Sequence, residues 1–265
     1  MQPILNIAIA AARNASRVIV RSIGRLDAHQ ISEKDKNDFV TEVDKAAEKE
    51  IIQTLKKTYP DHKFIAEESG VQEGNEDFTW IIDPLDGTTN FIHGIPHFAI
   101  SIAFQYKGKM EHGVIYDPIR NELFVASRGE GARLNDRRIR VSSNIKIERS
   151  LLGTGFPFKN LHHIPLYMKI FEHILPQVSG IRRAGSAALD LAYVAAGRFD
   201  GFWELGLQQW DMAAGVLMIK EAGGLVCDFS GEENYLSQGD LIAGNPKVFK
   251  GLLQMIHPIA QTYLK

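Results

Sequence analysis

The stretch Trp80-Ile81-Ile82-Asp83-Pro84-Leu85-Asp86-Gly87-Thr88-Thr89-Asn90 constrains this chain more than any other. Its three leading apolar residues favour a buried strand, because aromatic and β-branched side chains fit a pleated, covered surface. Pro84 and Gly87 force the backbone to leave that strand, which sets Asp83 at a strand end. Asp83 and Asp86 then point into one pocket. Gly87, Thr88 and Thr89 read as the first turn of a short helix, whose free N–H groups attract anions. Two carboxylates beside an anion site suggest a metal between them. Asp, Pro and Gly also make ordinary surface turns, so the stretch alone leaves that alternative open.

Two other acidic motifs fit poorly. An EF-hand loop needs acids at alternate positions and a closing Glu, whereas these acids are three apart and are followed by Thr88, Thr89, Asn90 and Phe91. A phosphoaspartyl phosphatase of the haloacid dehalogenase type needs Asp-x-Asp, also missing here.

At 265 residues with 45% hydrophobic content, the chain is long enough for one large domain or two intimately packed ones. A formal charge of -2 announces neither nucleic acid nor an anionic membrane. Cys227 is the only cysteine, so no intrachain disulfide forms and a reducing compartment is expected. Pro3, Asn6, Arg13 and Arg17 interrupt the first apolar pattern, which therefore reads as neither a signal peptide nor a membrane span. A cytoplasmic location without membrane partners is the expectation.

Residues 3 to 23 carry apolar side chains at three- and four-residue spacings, as an amphipathic core helix does, with Gly24 as its stop. The polar run from Arg25 to Asp38, including Lys34 and Lys36, reads as a mobile loop. Thr41 with Asp44 resembles a capping box ahead of a helix running to Tyr59 and closed by Pro60. Phe64-Ile65-Ala66 reads as a strand ending in Glu67 and Glu68, with an exposed loop from Gln72 to Thr79. A β meander follows from Phe98 to Ala126, and Asn135-Asp136 turns the chain towards Ile139–Val141.

Residues 142–144 mark the boundary between an N-terminal half (1–144) carrying the acidic and phosphate motifs and a C-terminal half (145–265) completing the site in one compact unit. In that second half strands at 151–154, 180–183, 201–205, 225–229 and 241–243 alternate with helices at 164–175, 186–196, 212–222 and from 246 towards 263. Such alternation argues for layered sheets and helices. Arg183-Ala184-Gly185-Ser186-Ala187-Ala188 puts small residues at a helix start, which suits either close packing or a ligand near backbone N–H groups. Trp203-Glu204 ends one strand and Trp210-Asp211 opens the next helix, where Asp is commonly a cap.

Glu67, Asp83, Asp86 and Asp211 together make an all-carboxylate site, which suits a hard divalent cation such as magnesium better than zinc. Magnesium binds through a few carboxylates plus substrate phosphate, so the set implies phosphate chemistry by a metal-activated water.

Ala66-Glu67-Glu68-Ser69, the stretch Trp80 to Phe91, and Trp210-Asp211-Met212-Ala213-Ala214-Gly215 with Glu221-Ala222-Gly223-Gly224 resemble the signatures of the inositol monophosphatase family. Gly153-Thr154-Gly155-Phe156-Pro157-Phe158 and residues 187–197 resemble its bacterial subgroup of extragenic-suppressor type. The resemblance extends over essentially the whole chain. It implies a layered αβαβα sandwich shared with fructose bisphosphatases, a homodimer, and lithium-sensitive, magnesium-dependent hydrolysis of phosphate monoesters. By that similarity Glu67, Asp83 and the Leu85 carbonyl hold one magnesium ion, while Asp83, Asp86 and Asp211 hold a second. A third, weaker ion lies near Glu67. Glu67 and Thr88 orient the attacking water, Asp44 polarises the Thr88 hydroxyl, and Glu68 stands behind them. Gly87 and Thr88 bind phosphate, and Asp86, Ala187 and Glu204 meet the hydroxyls of a phosphorylated polyol, with Gly185 shaping the wall.

The resemblance leaves other substrates of the same chemistry open, namely fructose bisphosphate, adenosine bisphosphate or NADP. It also implies a role of a different class, in ribosomal RNA synthesis with RNA polymerase and antitermination factors. Arg182-Arg183 and Arg137-Arg138 are too short to be read as an RNA site.

Overall fold

The computed structural model describes residues 3–25, 31–35 and 38–263. Helix α1 (Pro3–Ser22) starts with a proline, whose missing N–H has no helical partner at that position anyway, and buries Leu5, Ala8, Ala12, Ala15 and Ile19 along one stripe. The polar run expected as a loop is instead partly a hairpin, because Ile31–Asp35 (β1) pairs antiparallel with Asp38–Thr41 (β2). Backbone bonds hold such a ribbon, and composition does not display them. Lys36 lies outside the described residues.

Helix α2 (Glu42–Lys56) begins at the expected capping box, Thr41 with Asp44, and stops three residues before Tyr59. Then come β3 (His62–Ala66), β4 (Gly70–Gln72) and β5 (Asn75–Asp86). Two expectations are corrected here. The segment expected as an exposed loop already belongs to β5 from Asn75, and β5 runs on to Asp86 instead of ending at Asp83.

A short helix α3 (Thr88–Ile92) leads into β6 (Ala99–Tyr106), β7 (Lys109–Asp117), β8 (Glu122–Ser127), β9 (Gly131–Leu134) and β10 (Arg137–Arg138), the expected meander. The last hairpin turns at Asn135 and Asp136, both at positive φ, and returns at Arg137–Arg138 rather than at Ile139–Val141. These strands form an eight-stranded sheet in the order β10-β9-β8-β7-β6-β5-β3-β4. Only β3 and β5 run parallel in it, with Ala66 opposite Ile82, so Glu67, just past the end of β3, lies beside Asp83 of β5.

Beyond residue 144 come β11 (Leu151–Thr154), α4 (Ile164–Ile174), β12 (Gly180–Arg182), α5 (Ala187–Ala195), β13 (Gly201–Glu204) and α6 (Gln209–Glu221). β14 (Leu225–Cys227), α7 (Tyr235–Gln238), β15 (Leu241–Gly244) and α8 (Pro246–Ala260) complete the chain. Their five-stranded sheet has the order β12-β11-β13-β15-β14. The small α7 has no counterpart in the sequence reading.

Three cores stack the layers. Helices α1 and α2 pack on one face of the large sheet, against Trp80, Ile82 and Leu85. Its other face, with Ile81 and Ala103, meets α5 and α6, which also cover the smaller sheet through Phe202 and Ala243. The far side of that sheet packs on α4 and α8. The order is therefore αβαβα, as the resemblance implied. β5 lies between two helical layers, so it reads as a continuous apolar run rather than an alternating one.

Candidate functional site

A β-bulge creates the acidic cluster. Asp83 pairs with Ser101 and Asp86 with Ala99, so three steps along β5 match two along β6. In a regular strand residues three apart face opposite ways, and one extra residue brings them back to the same side. Pro84, which has no N–H for the ladder, sits inside the bulge. The Leu85 N–H, freed by the bulge, donates to Asp83 Oδ1 (2.9 Å).

Asp83, Asp86 and Asp211 present carboxylate oxygens that all lie within 4.8 Å of one another. Asp83 is 1% exposed. Burial first, and then the charges of Glu67, Asp86 and Asp211, push its carboxyl well above the usual range, and its carboxyl is hydrogen-bonded to the Glu67 side chain. Glu67 thus stands beside the trio through Asp83. Asp86 is held from the second sheet's side: Ser186 Oγ (2.6 Å) and the Ala188 N–H (2.7 Å) donate to its Oδ2. Burial raises its pKa, and those two bonds oppose the rise. Asp211 caps α6 from its third position rather than from the N-cap, which is Gln208: its Oδ2 accepts from the Gln208 N–H (2.7 Å).

Asp44 is both cap and neighbour of the site. Its Oδ2 accepts from the Thr41 N–H (2.9 Å) and from the Thr41 hydroxyl. Its Oδ1 accepts from the Thr88 hydroxyl (2.8 Å), which also lies 3.0 Å from the Leu85 carbonyl. A hydroxyl has one proton and two lone pairs. A hydroxyl that donates to the closer acceptor, Asp44, keeps its lone pairs for another donor and does not occupy the Leu85 carbonyl. Burial raises the Asp44 pKa, and its bonds from Thr41 and Thr88 counter that.

These groups line a cavity of about 350 Å³, together with Gly87, Gly185, Ala187, Asp190 and Glu204. That volume is at the lower end for a small-molecule site. Gly87 has φ +104°, and a Cβ there would lie 3.0 Å from the His97 carbonyl and 3.2 Å from that of Gly185. The Gly87 turn opens the cavity onto the first N–H groups of α3. Glu204 reaches in from the end of β13. Burial and, next, the Asp211 charge push its pKa up to about 8, with Arg183 opposing.

The structure brings the expected residues together, with Glu68 outside the cavity lining. Glu67, Asp83, Leu85, Asp86, Gly87, Thr88, Gly185, Ala187, Glu204 and Asp211 line one cavity, and Asp44 touches it through Thr88. The sequence reading missed Ser186, whose place as N-cap of α5 carried the signal. It also missed the reason for Gly155, where a Cβ would lie 1.8 Å from Glu204 Oε1. Asn90, Lys159, Arg183 and Asp190 were likewise not assigned.

Asp83 is buried among like charges, and the oxygens are hard and close-set. A hard cation relieves that repulsion and meets the oxygen ligands it prefers, so the residues fit magnesium. Among the described residues no helix is long and apolar enough to cross a membrane.

The chain matches the inositol monophosphatase family over residues 1–261. A protein of Pseudomonas aeruginosa called Nus factor SuhB is 56% identical over 270 residues, covering 100% of both chains. The crystal structure of extragenic suppressor protein suhB from Bartonella henselae superposes with a TM-score of 0.92 at 47% identity, covering 96% of this chain and 98% of that one. Inositol monophosphatase from Anabaena (Nostoc) sp. PCC 7120 superposes at 0.85 with 38% identity, covering 96% and 95%.

Proposed function

The chain belongs to the inositol monophosphatase family, and on that premise we propose that it hydrolyses inositol monophosphates with magnesium. The observation that carries this reading is the trio Asp83, Asp86 and Asp211, within 4.8 Å of one another and beside the Gly87–Thr88 turn. Glu67, Asp83, Asp86, Asp211 and the Leu85 carbonyl would hold magnesium, which when bound supplies a Lewis acid for phosphate and lowers the pKa of a bound water.

The chain's own groups do the rest. The N–H groups of Gly87 and Thr88 bind phosphate oxygens at the start of α3. The Thr88 hydroxyl donates its hydrogen bond to Asp44 and so offers lone pairs to the attacking water, which Glu67 orients from the other side. Asp86, Ala187 and Glu204 meet the hydroxyls of the alcohol, and Gly185 keeps the wall low. Glu204 with a pKa near 8 either donates or accepts a hydrogen bond at neutral pH, as a polyol requires.

Three large apolar side chains, Leu161, Ile164 and Met168, are exposed along α4 and the turn before it, next to Phe156 and Phe158 of the cavity lining. Leu161, Ile164 and Met168 follow helical spacing on one face. We assign this strip to a second copy of the chain, which makes the working form a homodimer.

The test is phosphate release from inositol 1-phosphate with and without magnesium, with lithium as inhibitor. Magnesium-dependent release blocked by lithium supports the reading, and no release from folded, metal-loaded protein sinks it. A clear preference for a nucleotide or a bisphosphate in the same assay moves the substrate.

The name Nus factor on a relative 56% identical favours a second reading, a part in transcription antitermination with RNA polymerase and its factors. Pull-down with an Asp83→Asn variant separates the two. Retained transcription proteins support a role independent of catalysis, and none retained counts against it.

A further inference from the structure

The cavity joins two pieces of chain far apart in sequence, the 87–91 turn and the 183–188 turn. Between them runs the segment ending at His97. Asn90, within α3, is 8% exposed and does not line the cavity. Its Nδ2 donates to the His97 carbonyl (2.8 Å) and to the Ala184 carbonyl (2.9 Å), the latter 94 residues away. Both hydrogens of one planar amide are thus spent on two backbones. Two carbonyl acceptors also leave no choice about which end of the carboxamide faces them.

The glycines make that bridge short. Gly87 lies against the His97 and Gly185 carbonyls, and a Cβ at Gly185, at φ +95°, would lie 2.9 Å from Asn90 Nδ2. His97 is gripped from elsewhere too. Arg120 Nη1, held by the buried Asp117 (2.9 Å), donates to the neighbouring Pro96 carbonyl (2.9 Å). The His97 ring faces Asp190 Oδ1 of α5 across 4.0 Å, and neither of those two atoms has a hydrogen-bond partner. The main chain of this seam is therefore fixed, while its side-chain crossing to α5 is still open.

We propose that Asn90 is a positioning residue that sets the distance between the phosphate turn and the polyol wall, and so favours substrates that touch both. An amide donating to two main-chain oxygens cannot lengthen either bond by much before losing it. A phosphate ester without hydroxyls contacts only the turn side and is insensitive to that spacing. The inference rests on the phosphatase reading for its substrates, not for its geometry.

The experiment compares wild type with Asn90→Ala and with the near-isosteric Asn90→Asp, which loses the donors. kcat and KM are measured with inositol 1-phosphate and with 4-nitrophenyl phosphate at saturating magnesium. Hydrogen exchange is followed at residues 95–97 and 184–189. For Asn90→Ala, kcat/KM on inositol 1-phosphate is expected to fall by roughly 10- to 100-fold, the scale of an ångström-level misplacement. On 4-nitrophenyl phosphate the fall is expected to stay within about threefold, since that ester does not use the spacing. Exchange at residues 184–189 should rise. Equal losses on both esters, or unchanged exchange there, overturn the proposal. A wild type that releases phosphate from neither ester sinks the phosphatase reading instead, and the exchange result alone then decides the role of Asn90.

Discussion

On the side assigned to phosphate, the cavity takes Asp83, Leu85, Asp86, Gly87 and Thr88 from six consecutive positions of one strand and turn. On the side assigned to the polyol it takes Gly155, Gly185, Ala187 and Glu204 from the ends of β11 and β13 and the start of α5. The first side is shaped by local rules: a proline in a bulge, a glycine in the left-handed region, a helix start. The second is shaped by packing, where a missing Cβ at one position makes room for a carboxylate at another. Local chemistry therefore sets the reaction, and assembled geometry sets which alcohol fits.

The largest effect expected is on the first side. Asp83→Asn should lower kcat for inositol 1-phosphate by about 10³-fold or more, equivalent to roughly 4 kcal/mol of transition-state stabilisation. The same change should raise the melting temperature of the metal-free protein, because it removes a buried charge crowded by Glu67, Asp86 and Asp211. A variant that keeps full activity would break the distinction between the two sides at its root.

The acidic cluster also has a pH signature. Glu204 has a folded pKa near 8 against an ordinary 4.5, and Asp83 is displaced in the same direction. A carboxyl whose pKa is raised by folding contributes stability that is fully present below its unfolded pKa and lost as pH rises through the folded one. The metal-free protein should therefore lose melting temperature between pH 4.5 and about 8, the window between the ordinary and the folded pKa of Glu204. Magnesium should flatten that slope, since it binds the ionised cluster, and Glu204→Gln should flatten part of it without metal. Melting curves in chelator and in magnesium across that range test both statements. A flat profile in chelator would mean the carboxylates are not buried together in solution.

What the sequence displayed follows the same division. Asp83, Asp86 and Thr88 were legible because strand, turn and helix-start preferences act over a few residues. The bulge was not, since it depends on the register against β6, so the sequence points to a strand end at Asp83 where the strand continues to Asp86. Ser186 was visible only as a helix-start residue, and its bond to Asp86 spans 100 positions. Gly155 gave no sign of its purpose, because nothing near it in sequence needs a glycine; Glu204 does, from the adjacent strand. The hairpin at Ile31–Thr41 was hidden by polar composition in the same way.

On the second side, Gly155→Ala places a methyl 1.8 Å from Glu204 Oε1, so that carboxylate must swing away. KM for inositol 1-phosphate should rise by about tenfold, near 1.4 kcal/mol, the size of a lost polar contact to substrate. Turnover of 4-nitrophenyl phosphate should change far less. A parallel loss on both esters would show that the two sides are not separable and that Glu204 serves the reaction itself.

The smallest effect separates the two duties of Asp44. Its Oδ2 caps α2 with Thr41, and its Oδ1 holds the Thr88 hydroxyl. Thr41→Ala removes the side-chain half of the capping box and should cost about 1 kcal/mol of stability, seen as a lower urea midpoint at unchanged slope. Activity at a temperature well below melting should stay close to wild type, because Asp44 keeps its bond from the Thr41 N–H and stays buried against Thr88. Thr88→Ala should do the reverse, lowering kcat while leaving the urea midpoint almost unmoved. If Thr41→Ala instead lowers kcat as much as Thr88→Ala does, the cap and the site are one mechanical unit. The phosphate side would then share the polyol side's dependence on distant packing, and the contrast between them would be one of degree.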